Sequence, residues 1–95
     1  MSVKFEIEVN LKLGKGKHAK YFVFAKCLEM DKGFSVTDNS KLGEIEISNY
    51  LGQPRALDKE GNIRLDIFAF KIRYKKDCGK LKEGQIVELT QEQEE

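Results

Sequence analysis

The residue types that most often perform catalysis are scarce in this sequence. His18 is the only histidine, so a Ser-His-Asp or Cys-His arrangement would have to be built around it. The candidate nucleophile Cys78 lies sixty residues further along the chain, and no Gly-x-Ser-x-Gly elbow is present. Lys15, Lys17 and Lys20 surround His18 in a segment that we expect to face open water, where a general base is not expected. We therefore predict that the protein is not an enzyme.

A metal ion or a nucleotide cofactor is not predicted either. One histidine and two cysteines, separated by nine and fifty-one residues, match no zinc pattern. The glycine-rich stretch 14–20 has neither the spacing of a P-loop nor that of a dinucleotide fingerprint, and no helix follows it. Cys27 stands in an apolar stretch that is typical of a core, whereas Cys78 is expected to be a solvated loop thiol.

Two basic segments are the strongest functional signal in the sequence. The first is the stretch 14–20, and the second, 71–76, interleaves cations with an aromatic ring. Each is either an ordinary solvated surface or a segment that binds a nucleic-acid backbone. The second alternative is considered because Lys and Arg neutralise phosphates and aromatic side chains stack on bases. The candidate phosphate contacts of the first segment are Lys15, Lys17, His18 and Lys20. The candidates around the second are Arg64, Lys71, Arg73 and Lys75, which would line a groove, and Tyr74, which would stack on a base.

Length, composition and charge place these segments in one small globular domain. The chain has 95 residues, of which 40% are hydrophobic and 35% are charged, enough for a core and a solvated surface. The net charge of +1 hides a sorted distribution, because 83–95 carries five Glu and no basic residue. We expect a single β-barrel domain over 1–90 and an acidic disordered tail over 91–95. No apolar run reaches the length of a membrane span and no signal-peptide pattern is present, so we expect a cytoplasmic protein.

Six segments have the hydrophobic patterns of β-strands. They are 3–13, 20–30, 34–37, 42–48, 63–74 and 84–89. The first alternates without interruption, so its apolar residues are expected on one buried face. These residues are Val3, Phe5, Ile7, Val9, Leu11 and Leu13. The fifth changes phase near Phe68, which predicts a β-bulge or a bend there. Short strands with turn signals between them predict an all-β barrel or sandwich, and at this length we favour a five- or six-stranded antiparallel barrel, OB-like, because closure removes exposed edges.

Two stretches in the second half of the chain share a pattern with a known family. They are Ala56-Leu57-Asp58-Lys59-Glu60-Gly61-Asn62-Ile63-Arg64-Leu65-Asp66-Ile67-Phe68-Ala69-Phe70 and Lys80-Leu81-Lys82-Glu83-Gly84-Gln85-Ile86-Val87-Glu88-Leu89. A turn with glycine leads to an Asp-containing apolar strand, and a Leu-Lys-x-Gly-x-x-Val element opens a closing strand. This pattern resembles the OB-fold single-stranded DNA-binding proteins of bacteria and phages, and the resemblance implies a barrel that binds single-stranded DNA. The tail 91–95 lacks the apolar tip by which tails of that family recruit partners, so a recruiting role is not implied.

The sequence thus supports two hypotheses of function. The first is a non-catalytic protein, monomer or homodimer, that binds nucleic acid, above all single-stranded DNA, through both basic segments. The second is a small protein-interaction module, for example of a phage or a mobile element, that inhibits or adapts a host enzyme. The net charge near zero favours the second. The first requires both basic segments to lie on the same face of the barrel.

Overall fold

The computed structural model describes residues 2–53 and 55–90. The predicted acidic tail, 91–95, lies outside these residues. The described chain contains six strands: β1 (Ser2–Leu13), β2 (Lys20–Cys27), β3 (Lys41–Leu42), β4 (Ile45–Gly52), β5 (Ile67–Ile72) and β6 (Ile86–Thr90). Its helical elements are three short 3₁₀ turns, Gly16–His18, Met30–Lys32 and Lys75–Lys80.

The six strands close into one ring in the order β1-β2-β5-β4-β3-β6, and every neighbouring pair is antiparallel. β3, β4 and β5 are consecutive neighbours, and β6 returns to lie beside β3, which is a Greek-key arrangement. The prediction of an all-β fold built as a small antiparallel barrel is confirmed. Within the described residues, no helix is long and apolar enough to cross a membrane.

Aromatic rings fill the centre of the barrel. Phe5 and Phe70 are fully buried, and their ring centroids lie 5.6 Å apart with the rings nearly perpendicular. Phe34 packs edge-on against Phe5 with a centroid distance of 5.2 Å. Edge-to-face contacts of this kind add about 0.5–1.5 kcal/mol each beyond the burial of the rings. The core is therefore organised around Phe5 of β1.

β1 contains a β-bulge that its regular alternation conceals. The pairing of β1 with β2 shifts between Ile7 and Val9, which leaves Glu8 as the extra residue. Before the bulge the apolar residues of β1 are fully buried, whereas after it Val9 is 39% and Leu13 is 45% exposed. The prediction of one buried face along the whole strand is wrong beyond Ile7, because the extra residue reverses the side of the strand that faces the core.

The same bulge directs Asn10 toward the inside of the barrel. Asn10 pairs with Val23, which is fully buried, so the two side chains lie on the same side of the sheet. The side-chain amide of Asn10 donates hydrogen bonds to the backbone carbonyls of Cys78 and Leu81, the second at 2.9 Å. Asn10 thereby ties β1 to the end of the turn Lys75–Lys80.

The second hairpin differs from the prediction. Residues 34–37 do not form a strand, and Phe34 and Val36 instead pack against the core from an irregular segment. The hairpin consists of β3 and β4 joined at Gly43, whose φ of 67° lies in the left-handed region. Alternating apolar residues predicted a strand here because an extended loop segment can bury the same side chains without pairing.

β5 is shorter than predicted and contains no bulge. It pairs with β2 without a shift, so the β-bulge predicted as one alternative near Phe68 is wrong, whereas the chain bends at residues 65 and 66, directly before the strand. The irregularities of the sheet lie in β1 and in β4, of which only β4 pairs with β5. Residues 55–66, expected in part to belong to this strand, contain a small separate hairpin with a bridge between Leu57 and Ile63.

Candidate nucleic-acid interface

The start of β2 and the end of β5 lie side by side in the sheet. Phe22 of β2 pairs with Lys71 of β5. Because the two strands are antiparallel, residues that precede Phe22 lie beside residues that follow Lys71. The first basic segment, 14–20, precedes Phe22, and the second, 71–76, begins at Lys71. Strand pairing therefore brings both basic segments to one end of the barrel.

The two segments line a single concavity of about 330 Å³. We call it the basic groove, and its basic lining residues are Lys17, His18, Lys20, Lys71, Arg73 and Lys75. Ala19, Tyr21 and Ile72 complete its wall. A hydrogen bond joins the segments directly, since Nζ of Lys75 donates to the backbone carbonyl of Lys17 at 3.1 Å. The two basic segments thus share one face.

Two glycines give the hairpin tip its tight path. Gly14 and Gly16 have φ angles of 87° and 62°, a region that glycine enters without the clash of a Cβ. At Gly14 an added Cβ would also lie only 3.4 Å from the carbonyl oxygen of His18. The turn Gly16–His18 then closes with the amide of Ala19 bonded to the carbonyl of Gly16 at 3.2 Å. This compact tip places the carbonyl of Lys17 within reach of β5.

Most of the cations in the basic groove have no acidic partner. Among the described residues, no carboxylate lies within salt-bridge distance of any of its four lysines. Arg73 differs, because its Nε lies 3.3 Å from Oε2 of Glu46 and its Nη2 donates to the carbonyl of Asp38 at 2.8 Å. Uncompensated lysines that converge on a concavity focus a positive potential there. The groove is therefore built to attract an anion.

Three of the predicted site residues do not line the basic groove. Lys15 and Tyr74 flank it: Lys15 directly precedes the turn Gly16–His18, and Tyr74 directly precedes the turn Lys75–Lys80. Arg64 faces a different cleft and forms salt bridges with Asp66 at 3.1 Å and with Glu8 at 3.6 Å. The hydrogen bonds to Asp66 raise the pKa of the Arg64 guanidinium. The charge of Arg64 is thus already compensated, and the structure does not bring it to the groove that the sequence predicted.

Neither cysteine is available for chemistry at the groove. Cys27 and Cys78 are free and buried, and burial raises the pKa of both thiols. The prediction of a solvated thiol at Cys78 is wrong, because the turn Lys75–Lys80 packs this residue against the core and leaves 6% of it exposed. Across 2–53 and 55–90, no three His, Cys, Asp or Glu side chains are grouped as a metal site requires.

The sequence did not predict two parts of the groove: Tyr21 in its wall, and the backbone carbonyl of Lys17 that accepts the hydrogen bond from Lys75. Tyr21 lies in a strand that is apolar at nearly every position, so nothing in the sequence distinguishes a wall residue from a core residue. The carbonyl of Lys17 has no sequence signal at all, since every residue carries one. No family model, curated protein or solved structure matches this chain.

Proposed function

We propose that this protein binds single-stranded nucleic acid, without catalysing a reaction, by holding the phosphate backbone in the basic groove. One observation carries the proposal: two basic segments more than fifty residues apart in the sequence converge on one concavity, and its lysines have no acidic partners among the described residues. The resemblance of the second half of the chain to OB-fold proteins favours DNA as the ligand. Two buried free cysteines agree with a reducing compartment such as the cytoplasm.

Lysine side chains suit a phosphate backbone whose exact position varies along the groove. Each is a flexible point charge with three donors, and it releases a condensed counterion when it neutralises a phosphate. Four lysines line the groove, so the logarithm of the association constant for a single strand should fall against the logarithm of the salt concentration with a slope of about −3. Most of the affinity should therefore disappear between low and physiological salt.

Fluorescence anisotropy with a labelled oligonucleotide tests this proposal. The double variant Lys17→Gln/Lys71→Gln should bind more weakly and should reduce the magnitude of the salt slope by about 1.4, because two phosphate contacts are removed. The control Lys59→Gln/Lys82→Gln makes the same change of net charge at exposed positions outside the groove. Equal loss of affinity in both variants would mean that only net charge matters, and no binding by the unmodified protein at micromolar concentration and low salt would refute the proposal.

A protein-interaction module is the second candidate, and the hairpin within 55–66 is the observation that favours it. Leu57, Ile63 and Leu65 are 61%, 60% and 64% exposed. The turn that presents them is fixed, since Oδ1 of Asp58 accepts hydrogen bonds from two backbone amides at 2.9 Å. Exposed apolar side chains on an ordered turn are typical of contact sites for a protein.

A pull-down from cell extract with and without nuclease separates the two candidates. Partners that survive nuclease treatment and are lost with Leu57→Lys/Leu65→Lys would support a protein-interaction module, including one that adapts or inhibits an enzyme. Partners that disappear with nuclease and are unaffected by that variant would support the nucleic-acid interface.

A further inference from the structure

The bulge in β1 places a row of apolar side chains on the outside of the sheet, next to the basic groove. Strand register defines three neighbouring rows on this face. The rows are Leu13 beside Lys20, then Leu11 beside Phe22 beside Lys71, then Val9 beside Phe24 beside Ala69. We call Val9, Leu11, Leu13, Phe22 and Phe24 the outer patch. Successive rows are about 7 Å apart along the strands.

Phe22 and Phe24 do not belong to the core. Their neighbours in β2, Val23 and Ala25, are fully buried and face the inside of the barrel, so the alternation of a strand turns both rings outward. Each ring is half-buried, and across the described residues neither ring contacts another aromatic ring. Phe24 lines a cleft with Glu8, Arg55 and Arg64. Phe22 is the ring nearer the basic groove, because its partner Lys71 lines that groove.

Two lysines belong both to the border of the outer patch and to the basic groove. Lys20 pairs with Leu13 and Lys71 pairs with Phe22, and both lysines also line the groove. The three rows, all within the described residues, contain no carboxylate. A polymer that alternates anionic and planar apolar groups can thus place its charges on the lysines and its planar groups on the adjoining patch. The carboxylate that lines a cleft with Val9 and Phe24, that of Glu8, lies 3.6 Å from the guanidinium of Arg64, which offsets its charge.

We infer that the outer patch is a base-docking surface, with Phe22 as its stacking ring, and that it makes the protein selective for single strands over duplexes. This inference rests on the proposed function of the basic groove. A single strand has unstacked bases that are free to lie on an aromatic or aliphatic face while lysines contact the phosphates. In a duplex the bases are paired and stacked inside, so only the phosphates can be contacted.

A second copy of the chain is a less suitable occupant of the same face. Identical outer patches brought together would also bring Lys20 and Lys71 of one copy toward the same lysines of the other, with no carboxylate in the rows to offset the repulsion. An anionic ligand removes that conflict. The tyrosine that the sequence suggested for stacking, Tyr74, lies beside the groove rather than in these rows.

A tryptophan placed at position 22 reports base stacking directly. The chain contains no tryptophan, so Phe22→Trp gives a single indole on the outer patch. Met30→Trp gives a control indole at an exposed position in the turn Met30–Lys32, beyond the end of β2 that lies away from the groove. Titration with a labelled single-stranded oligonucleotide should quench the fluorescence of Phe22→Trp at the concentration at which anisotropy shows binding. The fluorescence of Met30→Trp should not change, and a duplex of the same length should bind more weakly and cause little quenching of Phe22→Trp.

The variant Phe22→Ala supplies an independent measurement. It should lower single-strand affinity by about 5- to 150-fold, the loss expected for one base–aromatic stack, while the salt slope stays unchanged because no charge is removed. Circular dichroism confirms that the variant is folded, and Phe22→Trp keeps the test decisive if it is not. Normal binding with no quenching of Phe22→Trp, or equal quenching by a duplex, would overturn this inference and leave the basic groove intact. No binding by the unmodified protein would refute the proposed function instead.

Discussion

Asn10 should be one of the largest single contributors to the stability of this small domain, although it is polar and lies in a strand. Its side-chain amide donates to the carbonyls of Cys78 and Leu81 and so links β1 to the segment that ends the turn Lys75–Lys80. Each hydrogen bond is worth about 0.5–1.5 kcal/mol net, and a buried carbonyl that loses its donor costs more. Asn10→Ala should therefore lower the free energy of unfolding by about 2 kcal/mol, which for a domain of this length corresponds to a fall of about 10 °C in the melting temperature.

Thermal and urea denaturation followed by circular dichroism measure this effect. Asn39→Ala is the matched control, because Asn39 is exposed on a turn and its removal should change stability by less than about 0.5 kcal/mol. Asn10→Leu distinguishes hydrogen bonding from packing. It fills the space but removes the donor to the Leu81 carbonyl and leaves the Cys78 carbonyl with only the 3.4 Å bond from the Leu81 amide, so it should also be destabilising. If Asn10→Leu were as stable as the unmodified protein, the inward polar link between β1 and the 3₁₀ turn would be the wrong explanation.

Two further predictions concern titratable groups. Burial raises the pKa of the Cys27 and Cys78 thiols above the ordinary 9.0. Iodoacetamide at pH 8 should therefore modify both thiols slowly in the folded protein and rapidly in urea. Fast modification of Cys78 in the folded protein would show that the packing of the turn Lys75–Lys80 does not cover this thiol. The hydrogen bonds from Arg64 lower the pKa of Asp66 below the ordinary 3.8, so the pair stabilises the fold at neutral pH and this contribution is lost as the pH falls below 3.8. Asp66→Asn should thus be less stable than the unmodified protein at pH 7 and differ from it less at pH 2.5 in urea unfolding; a constant difference at both values would exclude the ion pair as the cause.

The strand content of this fold was predictable because most strands carry their own signal. β2 and β6 coincide with segments that the apolar or alternating pattern predicts as strands. The barrel was predictable because the sequence contains several short strands and no long helix that could cover an open sheet. Strand order was not predictable, since the return of β6 to lie between β3 and β1 depends on contacts between distant segments. The assignment of 34–37 as a strand failed for a related reason. Hydrophobic pattern reports which side chains are buried, whereas pairing depends on what lies alongside.

The basic residues of the candidate site were partly predictable, but neither their convergence on one groove nor the pairing of Arg64 was. Clusters of lysine around 14–20 and 71–76 are visible in the sequence, but only the β2–β5 register places them together. Arg64 shows the opposite case. As a basic residue before an apolar strand, it resembled a groove residue. Its guanidinium, however, donates two hydrogen bonds to the carboxylate of Asp66, two positions further along the chain. A pattern of charges cannot show which cations are already paired.

The bulge at Glu8 explains both the error about β1 and the place of the outer patch. An uninterrupted alternation normally means one buried face, but a bulged strand with apolar residues on both sides of the bulge also alternates without interruption. The two halves of β1 then differ in location and not in residue type: Phe5 lies at the centre of the core, whereas Leu11 lies beside Phe22 on the outside. A fold gains nothing in stability when leucine and valine side chains face water. Their outward position next to unpaired lysines is therefore better explained by a ligand that covers them than by folding.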